Sequence, residues 1–288
     1  AVLTAFNEDL SINFEKTISN AKNQLDAGLD GVVFFGTTGE GNSINVDEKK
    51  LFVEKLMEFK FPLNKTMIGT GSCSIMDAIH LSKFCVEKGV HDCLMLPPFY
   101  YKNPKDDGLF QFFSEVIQRV GSKDLRIQIY HFPAISQIPI SHNLIEKLLK
   151  NYPENFCGIK DSGGDLKNML SMCKNFENFD VYAGSEAYFL DVLEAGGAGT
   201  ITATGNLTYL KCIEVMSAFK LNDQNKKNLQ DELTNARNNL QKACSSYGFV
   251  SGLKEILSDN IQDNSWRITR PPFKILNEKQ KKEILNKN

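Results

Sequence analysis

Residues 157–184 read CGIKDSGGDLKNMLSMCKNFENFDVYAG. The opening run Cys157-Gly158-Ile159-Lys160 is short and apolar and breaks into Gly163-Gly164, as a buried strand does where it meets a loop. Residues 165–175 space their apolar positions for a helix, and Val181-Tyr182-Ala183-Gly184 returns to a short apolar run. Strand, helix and strand in so few residues predict a parallel pair covered by its crossover helix.

The same beat continues in both directions. Upstream, strand signals fall at 2–6, 31–35, 66–69, 93–96 and 126–130, with helical spacing at 14–25, from Asn45 onward, and at 75–89, 108–120 and 141–150. Ala27-Gly28 stops the first helix, and Asn45 with Glu48 three residues later predicts a capping box on the second. Downstream come a helix at 187–195 and a strand at 199–203. Eight strand-then-helix units predict an α/β fold of the (β/α)8 TIM-barrel type. An open doubly wound sheet would carry a glycine fingerprint after its first strand, where this chain has Thr4-Ala5-Phe6-Asn7-Glu8-Asp9. From about 207 to 259 the pattern is helical, and Pro271-Pro272 precedes a last helix. The expected organisation is therefore a barrel core over 1–206 and a C-terminal helical extension over 207–288 packed on it. Since Val2-Leu3 already reads as strand, a few residues are expected to precede this numbering.

Composition narrows the function classes. Lys and Arg number 33 against 35 Asp and Glu, a net charge of −2 with no basic stripe, so the electrostatic footprint of a nucleic-acid binder is missing. The Lys-rich stretch 279–287 is interleaved with Glu283, Ile284 and Leu285 and reads as a solvated terminal helix. No apolar run reaches the length of a membrane span, and no basic-then-apolar leader is visible. The seven cysteines are scattered and never form C-x-x-C, which fits reduced, mostly buried thiols in a cytoplasmic protein. H-E-x-x-H, the phosphate-binding G-x-x-x-x-G-K-[ST] and G-x-S-x-G are all missing, which removes zincin, P-loop and serine-hydrolase chemistry.

In a barrel, active sites lie at the C-terminal ends of the strands. Lys160 closes one predicted strand, and a lysine amine in apolar surroundings is a candidate Schiff-base nucleophile, because burial disfavours its charged form. The alternative is a strand-end lysine paired with Asp161. Another strand ends in Gly36-Thr37-Thr38-Gly39-Glu40-Gly41, whose hydroxyls and N–H groups can cradle a carboxylate. Tyr130-His131-Phe132-Pro133 brings a phenol, Gly184-Ser185-Glu186 a carboxylate placed to read substrate hydroxyls, and Ile201-Thr202 closes the last strand. Strand alternation turns His131 away from the face of Tyr130, so it reads as a structural, hydrogen-bonded histidine.

Together these residues resemble the family of dihydrodipicolinate synthase and N-acetylneuraminate lyase, the pyruvate-dependent class I aldolases. The resemblance runs from Leu3-Thr4-Ala5-Phe6 to Arg270-Pro271-Pro272 through G-T-T-G-E at 36–40, Pro98-Phe99-Tyr100-Tyr101, Y-x-x-P at 130–133, G-I-K-D at 158–161 and G-x-G-x-I-T at 197–202. It implies a homotetramer built as a dimer of dimers, pyruvate held as an imine on Lys160, an aldehyde as second substrate, and neither metal nor organic cofactor. Carried onto this sequence, Tyr130 shuttles protons, and Thr37 and Thr38 bind the pyruvyl carboxylate and relay to the tyrosine. Tyr100 matches the aromatic that some members lend across a dimer interface, although Tyr101 beside it leaves the register open, and the carbonyl of Ile201 lies near the bound keto acid.

One departure bears on the substrate. Dihydrodipicolinate synthases carry an arginine two residues past the proline of Y-x-x-P, for the carboxylate of the aldehyde, and this chain has Ile135 there. The stretch 130–136 is closer to the neuraminate lyase and 2-keto-3-deoxy-sugar-acid aldolase versions, while Ala187 stands where the neuraminate lyases carry a second acidic residue. Gly158 to Asp165 also resembles the 4-hydroxy-2-oxoglutarate aldolase form. The leading expectation is an aldolase or lyase of a 2-keto-3-deoxy sugar acid or a related hydroxylated 2-keto acid. A 4-hydroxy-tetrahydrodipicolinate synthase, a dehydratase using the same imine, and a non-catalytic keto-acid-binding protein are the alternatives.

Overall fold

The computed structural model describes residues 1–286. In chain order its regular elements begin with α1 (Phe14–Asp26), β1 (Val32–Phe34), α2 (Val46–Glu58), β2 (Thr66–Gly69), α3 (Ile75–Glu87), β3 (Asp92–Met95), α4 (Asp106–Val120) and β4 (Arg126–His131). They continue with α5 (Pro133–Ser136), α6 (His142–Asn151), β5 (Phe156–Asp161), α7 (Leu166–Asn175), β6 (Asp180–Ala183), α8 (Phe189–Glu194) and β7 (Gly199–Thr200). Last come α9 (Gly205–Lys220), α10 (Lys226–Cys244), α11 (Phe249–Ile261) and α12 (Glu278–Leu285). This is a TIM-barrel-like α/β fold with C-terminal helices, as the alternation predicts. Of the terminal Lys-rich stretch, α12 forms with its own capping box at Asn277 and Gln280, and Lys287 lies outside the described residues. The expected box on α2 is also present: Glu48 N–H donates to Asn45 Oδ1 at 2.9 Å, and Asn45 N–H to Glu48 Oε2 at 3.1 Å.

Two compact units make up the chain, Lys49–Ile201 and a second formed by Ala1–Glu48 with the chain from Thr202 onward. In the Lys49–Ile201 unit, β2 to β7 pair in sequence order, each parallel to the next. Period-2 alternation sorts their side chains onto two faces. Cys93, Ile127, Ile129, Ile159 and Val181 share one face and are each 0% exposed. Burying an aliphatic side chain of this size contributes about 1.5 to 3 kcal/mol, so this face drives the packing. Gln128, Tyr130, Gly158, Lys160 and Tyr182 fall on the other face, which carries the polar chemistry.

In the other unit a single apolar cluster joins Leu3 and Ala5 to Leu240, Leu253, Ile256, Trp266 and Ile284. Here the structure departs from the sequence reading, because 2–6 forms no strand and the described residues contain seven strands rather than eight. Val2 N–H still donates to the Val33 carbonyl at 2.8 Å, as a strand beside β1 would. Two of its other donors go to side chains, Leu3 N–H to Asn206 Oδ1 at 3.1 Å and Ala5 N–H to Thr17 Oγ1 at 3.0 Å, while Phe6 makes an isolated antiparallel bridge with Ile12. These side chains take the place of a ladder partner and satisfy the buried backbone without a regular sheet.

All seven cysteines are free thiols. No helix among the described residues is long and apolar enough to cross a membrane.

Lys49, near the start of α2, turns inward and donates to the Gly69 carbonyl at 3.2 Å. Burial pulls its ammonium down to about 8. A lysine whose folded value lies below its unfolded value lowers stability wherever both states carry the proton, and that penalty fades as pH rises from the folded toward the unfolded value. Lys49→Met is therefore expected to be more stable than wild type at pH 7 by up to about 3 kcal/mol, with the gap closing between pH 8 and about 10.5. Urea unfolding of the two proteins across that range measures the gap. Taking the difference cancels the buried thiol Cys93, whose value burial pushes up, whereas Cys85 faces Lys49 and is replaced by Ser in both proteins so that only the lysine is read. A gap that stays constant with pH would contradict the assignment.

Candidate active site

Lys160 lies on β5 directly opposite Tyr130 of β4 and Tyr182 of β6, so all three side chains leave the same face. Its side chain is buried, 4% exposed, and Nζ sits 4.0 Å from the centroid of the Tyr130 ring. No carboxylate of the described residues pairs with this amine. Asp161, the partner the alternative reading would give it, points to the opposite face and is otherwise engaged: Oδ1 accepts Gly163 N–H at 2.7 Å and Oδ2 accepts the Asn168 amide at 2.8 Å. An ammonium buried against an aromatic ring without an anion is a poor structural device, since desolvation is not compensated by a partner charge. A buried lysine amine without a carboxylate partner is the kind of group that imine chemistry uses.

The pairing of Lys160 with Tyr130 depends on a bulge. Phe156 pairs with Ile127 but Gly158 pairs with Gln128, so Cys157 is an extra residue in β5. Without it, Ile159 would stand opposite Tyr130 and Lys160 would turn to the apolar face. Gly158 is required below the lysine, because a Cβ there would lie 2.1 Å from Gln128 Oε1 and 2.3 Å from the Asp180 carbonyl.

Behind the amine the strand ends are locked together. Ser162 N–H donates to the His131 carbonyl at 2.8 Å and Gly184 N–H to the Asp161 carbonyl at 2.7 Å, which carries the ladder past the strands. His131 Nδ1 accepts Ile140 N–H at 3.1 Å, so its proton sits on Nε2, 3.9 Å from Asp161 Oδ1. Burial lowers the His131 pKa, partly opposed by Asp161, and keeps the ring neutral near pH 7. The structural role that alternation predicts for this residue is the one its contacts give it.

The remaining candidates in this unit are more dispersed. Gly184 follows β6, where a Cβ would collide with Ser162 Oγ at 2.1 Å. Glu186 is wholly buried and opens a 3-10 turn, Glu186–Tyr188, whose start is capped by Ser185. Tyr188 Oη donates to the Gly164 carbonyl at 3.1 Å, tying the loop after β6 to the loop after β5. Ile201 follows β7 with its N–H on the Ala183 carbonyl at 2.9 Å. Tyr100 is 72% exposed, its ring edge-on to that of Tyr101 at 5.3 Å, and makes no contact of this kind with Lys160 or Tyr130. Ile135, in α5, is 57% exposed.

Thr37 and Thr38 belong to the other unit, in the loop that follows β1. Thr38 is buried and Thr37 half-buried. Phe35 and Glu40, on either side of Gly36-Thr37-Thr38-Gly39, both adopt left-handed backbone, with φ of 60° and 55°. Such residues cost of order 1 to 3 kcal/mol each and persist only where surrounding contacts impose them. The contacts are those of Glu40, whose buried carboxylate receives the buried Lys254 ammonium and the Arg270 N–H, the latter at 2.9 Å. Neither Lys254 nor Arg270 has a signal in the sequence beyond the Lys254-Glu255 pair of charges within α11 and the Arg270-Pro271-Pro272 motif.

Comparison with known proteins places these features in context. The model of the dihydrodipicolinate synthetase family matches residues 1–287. An uncharacterised DapA-like lyase of Pyrococcus horikoshii is 32% identical over 290 residues, covering 98% of this chain and 96% of that protein. The 4-hydroxy-tetrahydrodipicolinate synthase of Listeria innocua is 31% identical over 228 residues, 78% of this chain and 76% of its own. The crystal structure of dihydrodipicolinate synthase from Agrobacterium tumefaciens matches with a TM-score of 0.85 at 25% identity, covering 100% of this chain and 96% of that one.

Proposed function

Because the chain belongs to the dihydrodipicolinate synthetase family and is a lyase of that family, we propose that Lys160 forms an imine with a 2-keto acid and that the enzyme makes or breaks the adjoining carbon–carbon bond. The observation that carries the proposal is the buried Lys160 amine, unpaired with any carboxylate of the described residues and 4.0 Å from the Tyr130 ring centroid.

In the cleavage direction the amine adds to the keto carbon, and the carbinolamine loses water to give an iminium. A proton leaves the C4 hydroxyl, the C3–C4 bond breaks, an aldehyde departs, and the electron pair is taken up by the iminium as an enamine. Protonation at C3 and hydrolysis return pyruvate and the free amine. Tyr130, beside Lys160, is the group proposed to carry protons in these steps. Thr37 and Thr38 are proposed to hold the keto-acid carboxylate, Gly184, Glu186 and the Ile201 carbonyl to line the substrate, and Tyr100 to serve a neighbouring subunit in a tetramer built of dimers. The imine itself supplies the electron sink, so the scheme uses no metal or organic cofactor.

The preferred substrate in this proposal is a 2-keto-3-deoxy sugar acid or a related hydroxylated 2-keto acid. Ile135 supports that preference, since an exposed aliphatic side chain offers nothing to a second carboxylate, and losing a bidentate guanidinium would cost about 2 to 4 kcal/mol of binding. The resemblance to the Listeria innocua protein favours a second reading, condensation of pyruvate with aspartate semialdehyde.

Borohydride reduction in the presence of pyruvate, followed by peptide mass spectrometry, tests the proposal. The expected result is a reduced pyruvyl adduct confined to Lys160. A folded protein that acquires no adduct with pyruvate or with longer 2-keto acids would remove imine chemistry and leave a binding protein. Turnover of 2-keto-3-deoxy acids against pyruvate plus aspartate semialdehyde then separates the two substrate readings.

A further inference from the structure

The loop that carries Thr37 and Thr38 is held by residues from the far end of the chain. Glu40 and Lys254, 214 residues apart, are both 0% exposed and form an ion pair. Lys254 also donates to the Ile268 carbonyl at 2.8 Å and stands 4.6 Å over the Phe6 ring. The second oxygen of Glu40 accepts the Arg270 N–H at 2.9 Å. The Arg270 guanidinium, 4.7 Å over the same Phe6 ring, donates to the Leu10 carbonyl at 2.7 Å and the Ser43 carbonyl at 2.7 Å, and grips both oxygens of Glu48. Two carboxylates and two cations thus fasten the C-terminal half of the loop 35–43 to α11 and to the segment that follows it.

The loop has little freedom to settle differently. Gly41 lies against its own chain, where a Cβ would stand 1.9 Å from the Phe35 carbonyl oxygen, and Gly39 lies against the Val2 carbonyl, 2.9 Å from its own notional Cβ. The Gly39 carbonyl accepts the Thr4 hydroxyl at 2.7 Å. Burying an ion pair is an inefficient way to gain stability, because desolvation offsets the attraction between the charges, and in some proteins such pairs serve instead to select one geometry. What is fixed here is the backbone around two threonines.

We propose that Glu40 and Lys254 are positioning residues for keto-acid binding: they hold the Thr37-Thr38 hydroxyls and adjacent N–H groups in the conformation that receives the substrate carboxylate. This rests on reading Lys160 as the imine-forming amine. The C-terminal helices accordingly contribute to substrate recognition through α11 without touching substrate.

The test compares wild type with Glu40→Gln and with the double variant Glu40→Gln, Lys254→Met, in which no charge is left buried without its partner. Circular dichroism and thermal melting establish that each is folded. The quantity read is the concentration of carbonyl compound that half-saturates borohydride trapping at Lys160, for pyruvate and for hydroxyacetone, which has the same methyl ketone carbon but no carboxylate. The expected result is a rise of tenfold or more for pyruvate in both variants, with the hydroxyacetone value unchanged within about twofold. A folded double variant with the wild-type value for pyruvate refutes the positioning role and leaves the imine reading standing. Equal losses for the two carbonyl compounds also refute it, because they mark general damage rather than loss of a carboxylate site. A wild type that traps no pyruvate refutes the imine reading first and this proposal with it.

Discussion

Lys160→Ala is expected to abolish the borohydride-trapped adduct and to lower kcat by at least about 10⁴-fold, because no other side chain on the polar face of β4, β5 and β6 can form an imine. The same change should leave the melting temperature unchanged or higher. The removed amine has no carboxylate partner among the described residues, so its loss strands no buried charge. Activity and stability moving apart is the signature of a group placed for chemistry. Lys160→Met, which keeps the volume of the side chain over the Tyr130 ring, guards against a packing artefact. A keto-acid-binding protein would behave differently, retaining its affinity in both variants, and residual turnover within tenfold of wild type would end the nucleophile assignment.

Gly41→Ala is expected to be the most damaging single methyl in the loop after β1. The added Cβ would stand 1.9 Å from the Phe35 carbonyl oxygen and 2.5 Å from its carbon, both backbone atoms. Neither can move aside cheaply, since Gly41 N–H is bonded to the Gly36 carbonyl at 3.1 Å and Glu40 is anchored by Lys254. A loss of about 3 kcal/mol or more is expected, equivalent to a fall in Tm of roughly 6 to 12 °C. Gly108→Ala is the matched control. Gly108 lies in the first turn of α4 with nothing within 4 Å of its notional Cβ, so alanine there should stabilise by about 0.5 to 1 kcal/mol. Thermal melts of the two variants measure the contrast, and similar Tm values would mean that the loop relaxes far more readily than its contacts imply.

Much of the molecule is legible in its sequence because the determining signals are local. The alternation of short apolar runs with amphipathic segments belongs to each stretch of chain by itself, so the TIM-barrel-like α/β class and most helix positions follow from periodicity. Lys160 is conspicuous because an amine at the end of an apolar strand is chemically costly wherever the strand goes, and Asn45 with Glu48 announces a cap that needs nothing beyond its own helix.

What depended on a partner was not legible. The segment 2–6 alternates like a strand, yet its Leu3 and Ala5 N–H groups go to Asn206 and Thr17, which no local pattern names. Residues 187–195 read as one helix, whereas the structure begins with the 3-10 turn Glu186–Tyr188 and follows it with the six-residue α8. The bulge at Cys157 decides which face Lys160 occupies, but register is a relation between two strands and periodicity supplies only the phase of each. Glu40 looks like one more turn residue in G-T-T-G-E until the fold brings Lys254 to it across 214 residues. By itself, then, the sequence determined the class of fold and singled out Lys160 as the amine to test. The tertiary structure alone decided that the amine faces Tyr130 and that Glu40 beside the threonines meets Lys254, because strand register and buried ion pairing exist only between segments that the fold has already brought together.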